Sequence, residues 1–404
     1  MSIFESYKAP QGVLEIGGLP LPRLAERAGQ TPFFVYDRSK LGERVALLRQ
    51  MLAPELRIHY SIKANPMPAL VQHMASLVDG FDVASAGEMR MALDAGMPAR
   101  HVSMAGPGKS SQDLRGAVGA GVTVTLESAH QLEAVERIGR ELGVRPRVGL
   151  RINPDFQPRS SGMRMGGGPR QFGVDVEQAP ALLKVIAERD LDFVGFHVFW
   201  GSQCLDPGTV IAAQRHVAEL VMRLADLAGD SLEFVNMGGG FGIPYFDNER
   251  PLDIGAVGAA MQEWLTPLRR RLAGTRLILE FGRYLVGEAG LYVCRVLDKK
   301  VSRGETFLIT DGGLHHQLAA SGNFGQVLRR NYPVAIGNRM DSGQTETCHV
   351  VGCLCTPLDR LADNVELPAA EIGDLFVVAQ SGAYGRSASP SAFLSHPLPV
   401  EILV

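Results

Sequence analysis

The chain has 404 residues and a formal net charge of −3, and 46% of it is hydrophobic. This composition excludes global disorder and leaves no basic footprint for nucleic acid. No apolar run approaches the roughly 18–20 residues of a bilayer span, MSIFESYKAPQGVLEIGG lacks the pattern of a signal peptide, and five cysteines are a sparse, odd count. A cytoplasmic protein without membrane or nucleic-acid partners is therefore expected. The 46 glycines exceed the roughly 7% of an average chain, so backbone freedom is needed somewhere.

In chain order, the first 30 residues are rich in Pro and Gly, with one strand-like stretch at 12–16. From residue 57, β-branched and aromatic runs alternate with helical periodicity. Strands are expected at 57–62, 81–85, 101–105, 122–127, 147–153, 193–199, 233–238 and 276–281. Helical segments such as 68–78, 86–96, 129–142 and 207–229 lie between them, and Ser111, ahead of Gln112 and Asp113, reads as a cap. Eight βα units in about 230 residues fit a (β/α)8 barrel. After residue 286 the strand-like runs 291–301, 306–313, 348–355, 374–380 and 399–404 follow without long helices. The expected organisation is a segment 1–30 packing with the β domain, an α/β TIM barrel over 31–285 and a C-terminal β-rich domain over 286–404.

A barrel of this kind carries its chemistry at the C-terminal ends of its strands. There the sequence places Lys63 (YSIKANP), Asp82 and Ser85 (FDVASAGE), His197 and Ser202 (HVFWGSQ), Gly238–Gly240 (MGGGFG), and Glu280 with Gly282 and Arg283 (LEFGR). Each has a bland reading: a solvated lysine, a core histidine, a tight glycine turn, an ion pair of Glu280 with Arg283. The glycine run fits neither G-x-G-x-x-G nor a P-loop. Together, however, a lysine for an aldehyde, glycine N–H groups for a phosphate, a ring-stacking His197 and a carboxylate for a pyridine nitrogen suit pyridoxal 5′-phosphate. Cys348, His349, Cys353 and Cys355 are spaced C-H-x3-C-x-C, unlike paired zinc knuckles, and adjacent His315 and His316 cannot share a ligand face on regular structure. No metal is expected.

These motifs, in this order, resemble the fold-type III pyridoxal-phosphate decarboxylases, which include diaminopimelate and ornithine decarboxylases. The resemblance runs from TPFFVYD (31–37) to SGAYGRS (381–387). It implies Lys63 as the Schiff-base lysine, with Asp82 and Glu88 shaping the pocket. His197 would stack on the ring, and Ser202, Gly239 and Gly240 would bind phosphate. Glu280 would hold the pyridine nitrogen, Gly282 and Arg283 would contact phosphate or substrate, and Tyr384 the cofactor and substrate. In GCLCTPLD, Cys355 of a partner subunit would protonate the product carbanion and Asp359 would reach substrate, which implies a homodimer.

Two departures bear on substrate. Thr356 stands where diaminopimelate decarboxylases place Glu, and their R-P-x-L-Y carboxylate clamp is replaced by GNFGQVLRRNYPVAIG (322–337), with Arg329, Arg330 and Tyr332 as substitutes. The closest resemblance is to the exosortase-associated and carrier-tethered subgroup, which implies an amino acid or carrier-protein-tethered amino acyl substrate in a specialised exopolysaccharide or secondary pathway. The alternatives are a diaminopimelate decarboxylase of lysine biosynthesis, a racemase on the same fold, which would carry arginine rather than Glu280, and a non-catalytic relative. Gly166–Gly168 marks a further loop on the same rim with no assigned role.

Overall fold

Strands that are buried on both faces need near-continuous apolar sequence, and helices must cover them. The computed structural model follows that logic. It describes residues 3–404 apart from 158–161, 229–231, 247, 325 and 327. The chain divides into two units: 44–243 with 251–284, and the residues up to Glu43 with 244–250 and 285–404.

The first unit is a closed parallel barrel of β1 (Arg57–Ser61), β2 (Gly80–Val83), β3 (Val102–Met104), β4 (Thr123–Leu126), β5 (Arg147–Asn153), β6 (Asp192–Val198), β7 (Phe234–Asn236) and β8 (Arg276–Phe281). Each pairs with the next in chain order and β8 returns to β1, so all eight expected barrel strands are present. Helices such as Pro68–Ala75, Ala86–Asp94, Ala129–Leu142 and Pro207–Ala228 connect them; residue 229, expected to end the last of these, lies outside the described residues. None of the described helices is long and apolar enough to cross a membrane.

Local chemistry sets several boundaries. The helix Ser111–Ala120 is capped by Ser110 rather than Ser111: the Ser110 hydroxyl accepts from the Asp113 N–H, and the Asp113 carboxylate accepts from the Ser110 N–H. That reciprocal pair needs a three-residue offset, which only Ser110 has. Ser85 likewise accepts from the Glu88 N–H at 3.2 Å and starts the helix Ala86–Asp94.

Register decides which side chains share a level in the barrel. Glu280 on β8 pairs with His59 on β1, Ser61 on β1 with Asp82 on β2, and Asp82 with Ser103 on β3. His197 on β6 pairs with Asn236 on β7 and with Arg151 on β5. One strand period below Asn236 and Glu280, Phe234 and Ile278 pack with Val194 in an apolar cluster. A register irregularity between Phe193 and Gly195 in β6 accompanies this level. The barrel interior is thus apolar below and polar toward the C-terminal strand ends.

The second unit is β-rich. Its sheet runs, in spatial order, β11 (Val334–Ile336), β14 (Leu375–Val378), β9 (Gly290–Ser302), β10 (Glu305–Thr310), β12 (Thr345–Val351) and β13 (Arg360–Pro368). The strand Phe33–Tyr36 pairs with β9 on one side and with β15 (Val400–Leu403) on the other. Leu14, Ile16, Leu21 and Leu24 from the N-terminal segment share one core with Phe33, Val35, Leu291, Val293, Leu375 and Val377.

Candidate active site

Glu280 sits at the centre of the polar level in the barrel. Its Oε1 accepts from the Ser61 hydroxyl at 2.7 Å and its Oε2 from the Asn236 amide at 3.2 Å. The His197 Nε2 lies 3.1 Å from the same Oε2, but the ring is not aligned for a hydrogen bond, so this buried nitrogen has no hydrogen-bond partner among the described residues. Burial alone would push the Glu280 carboxyl up. The His197 ring, the Lys63 ammonium and the Ser61 hydroxyl outweigh that and hold it well below the usual carboxylate range. The result is a buried, ionised carboxylate.

Asp82 lies in the same layer. It is hydrogen-bonded by the Ser103 hydroxyl, its Oδ1 is 3.4 Å from the Asn236 amide, and its Oδ2 is 3.4 Å from His59 Nδ1. Asn236 therefore bridges Asp82 and Glu280. Lys63 stands on the single turn Ile62–Ala64 that ends β1, exposed, with its Nζ 5.5 Å from the Phe199 ring centroid. The Glu88 carboxylate folds back to accept from the Ala84 N–H at 2.7 Å, which makes it a brace of the β2 strand end.

The glycines after β7 are demanded by close approach. A Cβ on Gly239 would collide with the Glu280 carbonyl, and one on Gly240 would stand 2.5 Å from the Trp200 indole. Gly238 and Gly240 also hold φ of +71° and +81°, where side chains are strained. Among the described residues, no backbone carbonyl accepts from the N–H groups of Gly239 and Gly240. Ser202 follows β6 on a short strand paired with Met163–Arg164. Gly282 and Arg283 follow β8, and Arg283 opens the turn Arg283–Val286. Phe281 packs edge-on against Phe241, with ring centroids 4.9 Å apart. The Gly166–Gly168 loop is held by Asn153 at the end of β5, which accepts from the Gly167 N–H and donates to the Gly168 carbonyl, both at 2.9 Å.

The barrel residues fit pyridoxal phosphate. An amine at Lys63, uncommitted N–H donors in a cradle too narrow for any Cβ, a buried ionised carboxylate and an imidazole with an unsatisfied nitrogen are the donor set it asks for.

A neighbouring charged group was not anticipated. Lys109 donates to the carbonyls of Gly106 and Thr125, both at 2.7 Å, and its Nζ is 3.7 Å from Glu127 Oε1. Arg151 pairs with the same Glu127 at 3.2 Å and lies over the Phe172 ring. Burial pushes the Lys109 amine down to about 8, with Glu127 opposing the fall. The sequence signal was present: Arg151 is a charge in the interior of an otherwise apolar stretch of strand.

In the second unit Cys355 is exposed. Tyr384 is half-buried and holds φ of +53°. The Asp359 carboxylate is engaged by backbone N–H groups. It is buried, and its Oδ1 accepts from the Leu314 N–H at 2.6 Å and its Oδ2 from the Leu354 N–H at 2.8 Å, which braces two loops. The arginines of 322–337 are also engaged. Arg329 pairs with Asp363 at 3.1 Å and donates to the Ser321 and Arg360 carbonyls; Arg330 lies 3.5 Å over the Phe246 ring and 3.4 Å from Glu249. Tyr332 is buried against Tyr245. Gly325 and Val327 of that segment lie outside the described residues.

Comparison with known proteins points to the same cofactor. The family model for the pyridoxal-binding domain of pyridoxal-dependent decarboxylases matches residues 38–287. The chain is 39% identical to the L-glutamyl-(BtrI acyl-carrier protein) decarboxylase of Niallia circulans, over 93% of this chain and 89% of that protein. It is 32% identical to a diaminopimelate decarboxylase of Campylobacter jejuni, over 89% and 87%. Its fold matches the diaminopimelate decarboxylase of M. jannaschii in co-complex with L-lysine, with a TM-score of 0.90, 25% identity and coverage of 100% and 94%.

Proposed function

The chain belongs to the pyridoxal-dependent decarboxylases, and from that premise we propose that its substrate is a carrier-tethered α-amino acyl group rather than free diaminopimelate. The enzyme is a pyridoxal-phosphate-dependent amino acid decarboxylase. When bound, the cofactor provides an electron sink for the pair left as the Cα–CO₂ bond breaks. Lys63 would hold the cofactor's aldehyde carbon. Glu280 would hold the ring nitrogen in its protonated form, with its carboxylate fixed by Ser61 and Asn236. Gly239, Gly240 and Ser202 would hold the phosphate, and His197, Gly282, Arg283 and Tyr384 would complete the contacts. Cys355 of the partner subunit in a homodimer delivers a proton to Cα.

The observation that carries the substrate reading is the missing distal reader. Thr356 offers no carboxylate for a second amine, and Arg329 and Arg330 are both committed to groups of their own unit. A glutamyl group decarboxylated at Cα must keep its α-amine and α-carboxylate free, so a carrier can take only the side-chain carboxyl, which cancels the distal charge. The relative from Niallia circulans acts on an L-glutamyl group on an acyl-carrier protein. The test is CO₂ release from meso-diaminopimelate, free glutamate and a glutamyl group loaded on an acyl-carrier protein. The tethered substrate is expected to give at least about 10-fold higher kcat/KM, roughly 1.4 kcal/mol of transition-state preference. Turnover of free diaminopimelate equal to or above that of the tethered group would overturn the reading.

A further inference from the structure

Three segments of the second unit, far apart in sequence, bring together His315 from the loop after β10, Cys353 from the loop after β12, and His396 from the segment ahead of β15. One ligand-capable atom of each lies within 4.8 Å of those of the other two. The Cys353 Sγ is 3.8 Å from His396 Nε2, and the two imidazole centroids are 5.2 Å apart. Tetrahedral zinc with bonds of about 2.05 Å to nitrogen and 2.3 Å to sulfur sets sulfur about 3.6 Å from nitrogen and the nitrogens about 3.3 Å apart, so the Cys353–His396 pair already stands near that spacing and the set closes by a contraction of about 1 Å.

His315 supplies a second observation. It is fully buried, yet neither ring nitrogen has a hydrogen-bond partner among the described residues. An imidazole buried with both nitrogens unsatisfied is costly, and such groups need an explanation. The surroundings are also organised for ligation. The Asp359 carboxylate ties the Leu314 N–H to the Leu354 N–H, fixing the residues next to His315 and Cys353. His316 Nε2 donates to the Pro397 carbonyl at 3.0 Å, which fixes the residue next to His396, and its Nδ1 lies 3.0 Å from Tyr292 Oη. Each ligand thus has a chain neighbour pinned by a separate hydrogen bond, the arrangement that orients ligands in built metal sites.

We propose that His315, Cys353 and His396 form a zinc site. Two imidazoles and a thiolate suit zinc among the common divalent ions, and three protein ligands leave the fourth position to water. Binding releases the Cys353 thiol proton to solvent and cross-links the C-terminal segment to the loop that carries Cys355. The ligand set was not visible as a motif because its members are separated by 38 and 43 residues. Cys353 is paired here with neither Cys348 nor Cys355, its neighbours in the C-H-x3-C-x-C run.

The test uses the full-length holoenzyme, stripped with a chelator, incubated with zinc chloride and desalted. The wild type is expected to retain about one zinc per chain, and the Co²⁺ form to show d–d bands of a tetrahedral site with a thiolate ligand. Cys353→Ala and His396→Ala should each bind zinc at least 10-fold more weakly, and zinc should raise the Tm of the wild type but not of these variants. Cys348→Ala and Cys355→Ala should keep the full equivalent. His396 lies on a partly exposed segment, so His396→Ala reports on the site even where His315→Ala fails to fold. A wild type that retains no zinc, or a full equivalent retained by His396→Ala and Cys353→Ala, would overturn the proposal.

Discussion

Glu280 shows how a buried charge is held in one state. Burial opposes its ionisation, and His197, Lys63 and Ser61 reverse that. Because its folded pKa is depressed, the stability it contributes is present above the unfolded value near 4.3 and is lost only as pH falls below that. The absorbance of bound cofactor should therefore show no step from this group between pH 8 and 5. Glu280→Gln should retain cofactor yet lose about 10²-fold in kcat, the usual scale for removing one preorganised electrostatic partner. Lys109 is the opposite case. Its amine is pushed down by burial to about 8, with Glu127 opposing and Arg151 adding to the fall, while an unfolded lysine titrates near 10.4. Between those values the unfolded chain holds more protons, so this group makes stability rise with pH. Lys109→Met should abolish that rise and, by leaving Glu127 and two carbonyls short of a partner, cost about 3 kcal/mol in urea unfolding. Lys63 was legible from its place between an apolar strand and an Asn-Pro turn. Lys109 was not, because its partners Thr125 and Glu127 lie on another segment, at the end of β4.

At the scale of elements, strand and helix periodicity located every barrel strand, since buried parallel strands carry an uninterrupted apolar signal. The strand Arg360–Pro368 gave no such signal: Asp363, Asn364 and Glu366 interrupt the apolar run, and only part of it is buried. Caps were legible to within one residue. Ser110→Ala should cost about 1 kcal/mol in thermal or urea unfolding, while Ser111→Ala should cost a few tenths at most. The sequence reads Gly238–Gly240 as a tight turn or a phosphate cradle, and the structure adds a separate demand for glycine, the approach of the Glu280 carbonyl and the Trp200 indole. Gly240→Ala should weaken pyridoxal phosphate binding at least 10-fold in a spectral titration, because a Cβ at positive φ against Trp200 displaces the cradle.

For the whole molecule, the division of labour between Lys63 and Cys355 makes a prediction about assembly. If each site takes its lysine from one subunit and its thiol from the partner, Lys63→Ala and Cys355→Ala are inactive alone and complement when mixed, recovering about a quarter of wild-type activity through heterodimers. No recovery after verified subunit exchange would place both residues of a site on one chain. The sequence by itself determined the barrel, the β-rich tail, the cofactor and the residues at the strand ends, because apolar periodicity and rim position are local properties of the chain. Only the tertiary structure decided what those residues touch. Register put Asn236 between Asp82 and Glu280, folding engaged Asp359 and Arg329 in braces, and three distant segments set His315, Cys353 and His396 around one point. Such contacts depend on chain reversals that join residues tens of positions apart, and no local pattern encodes them.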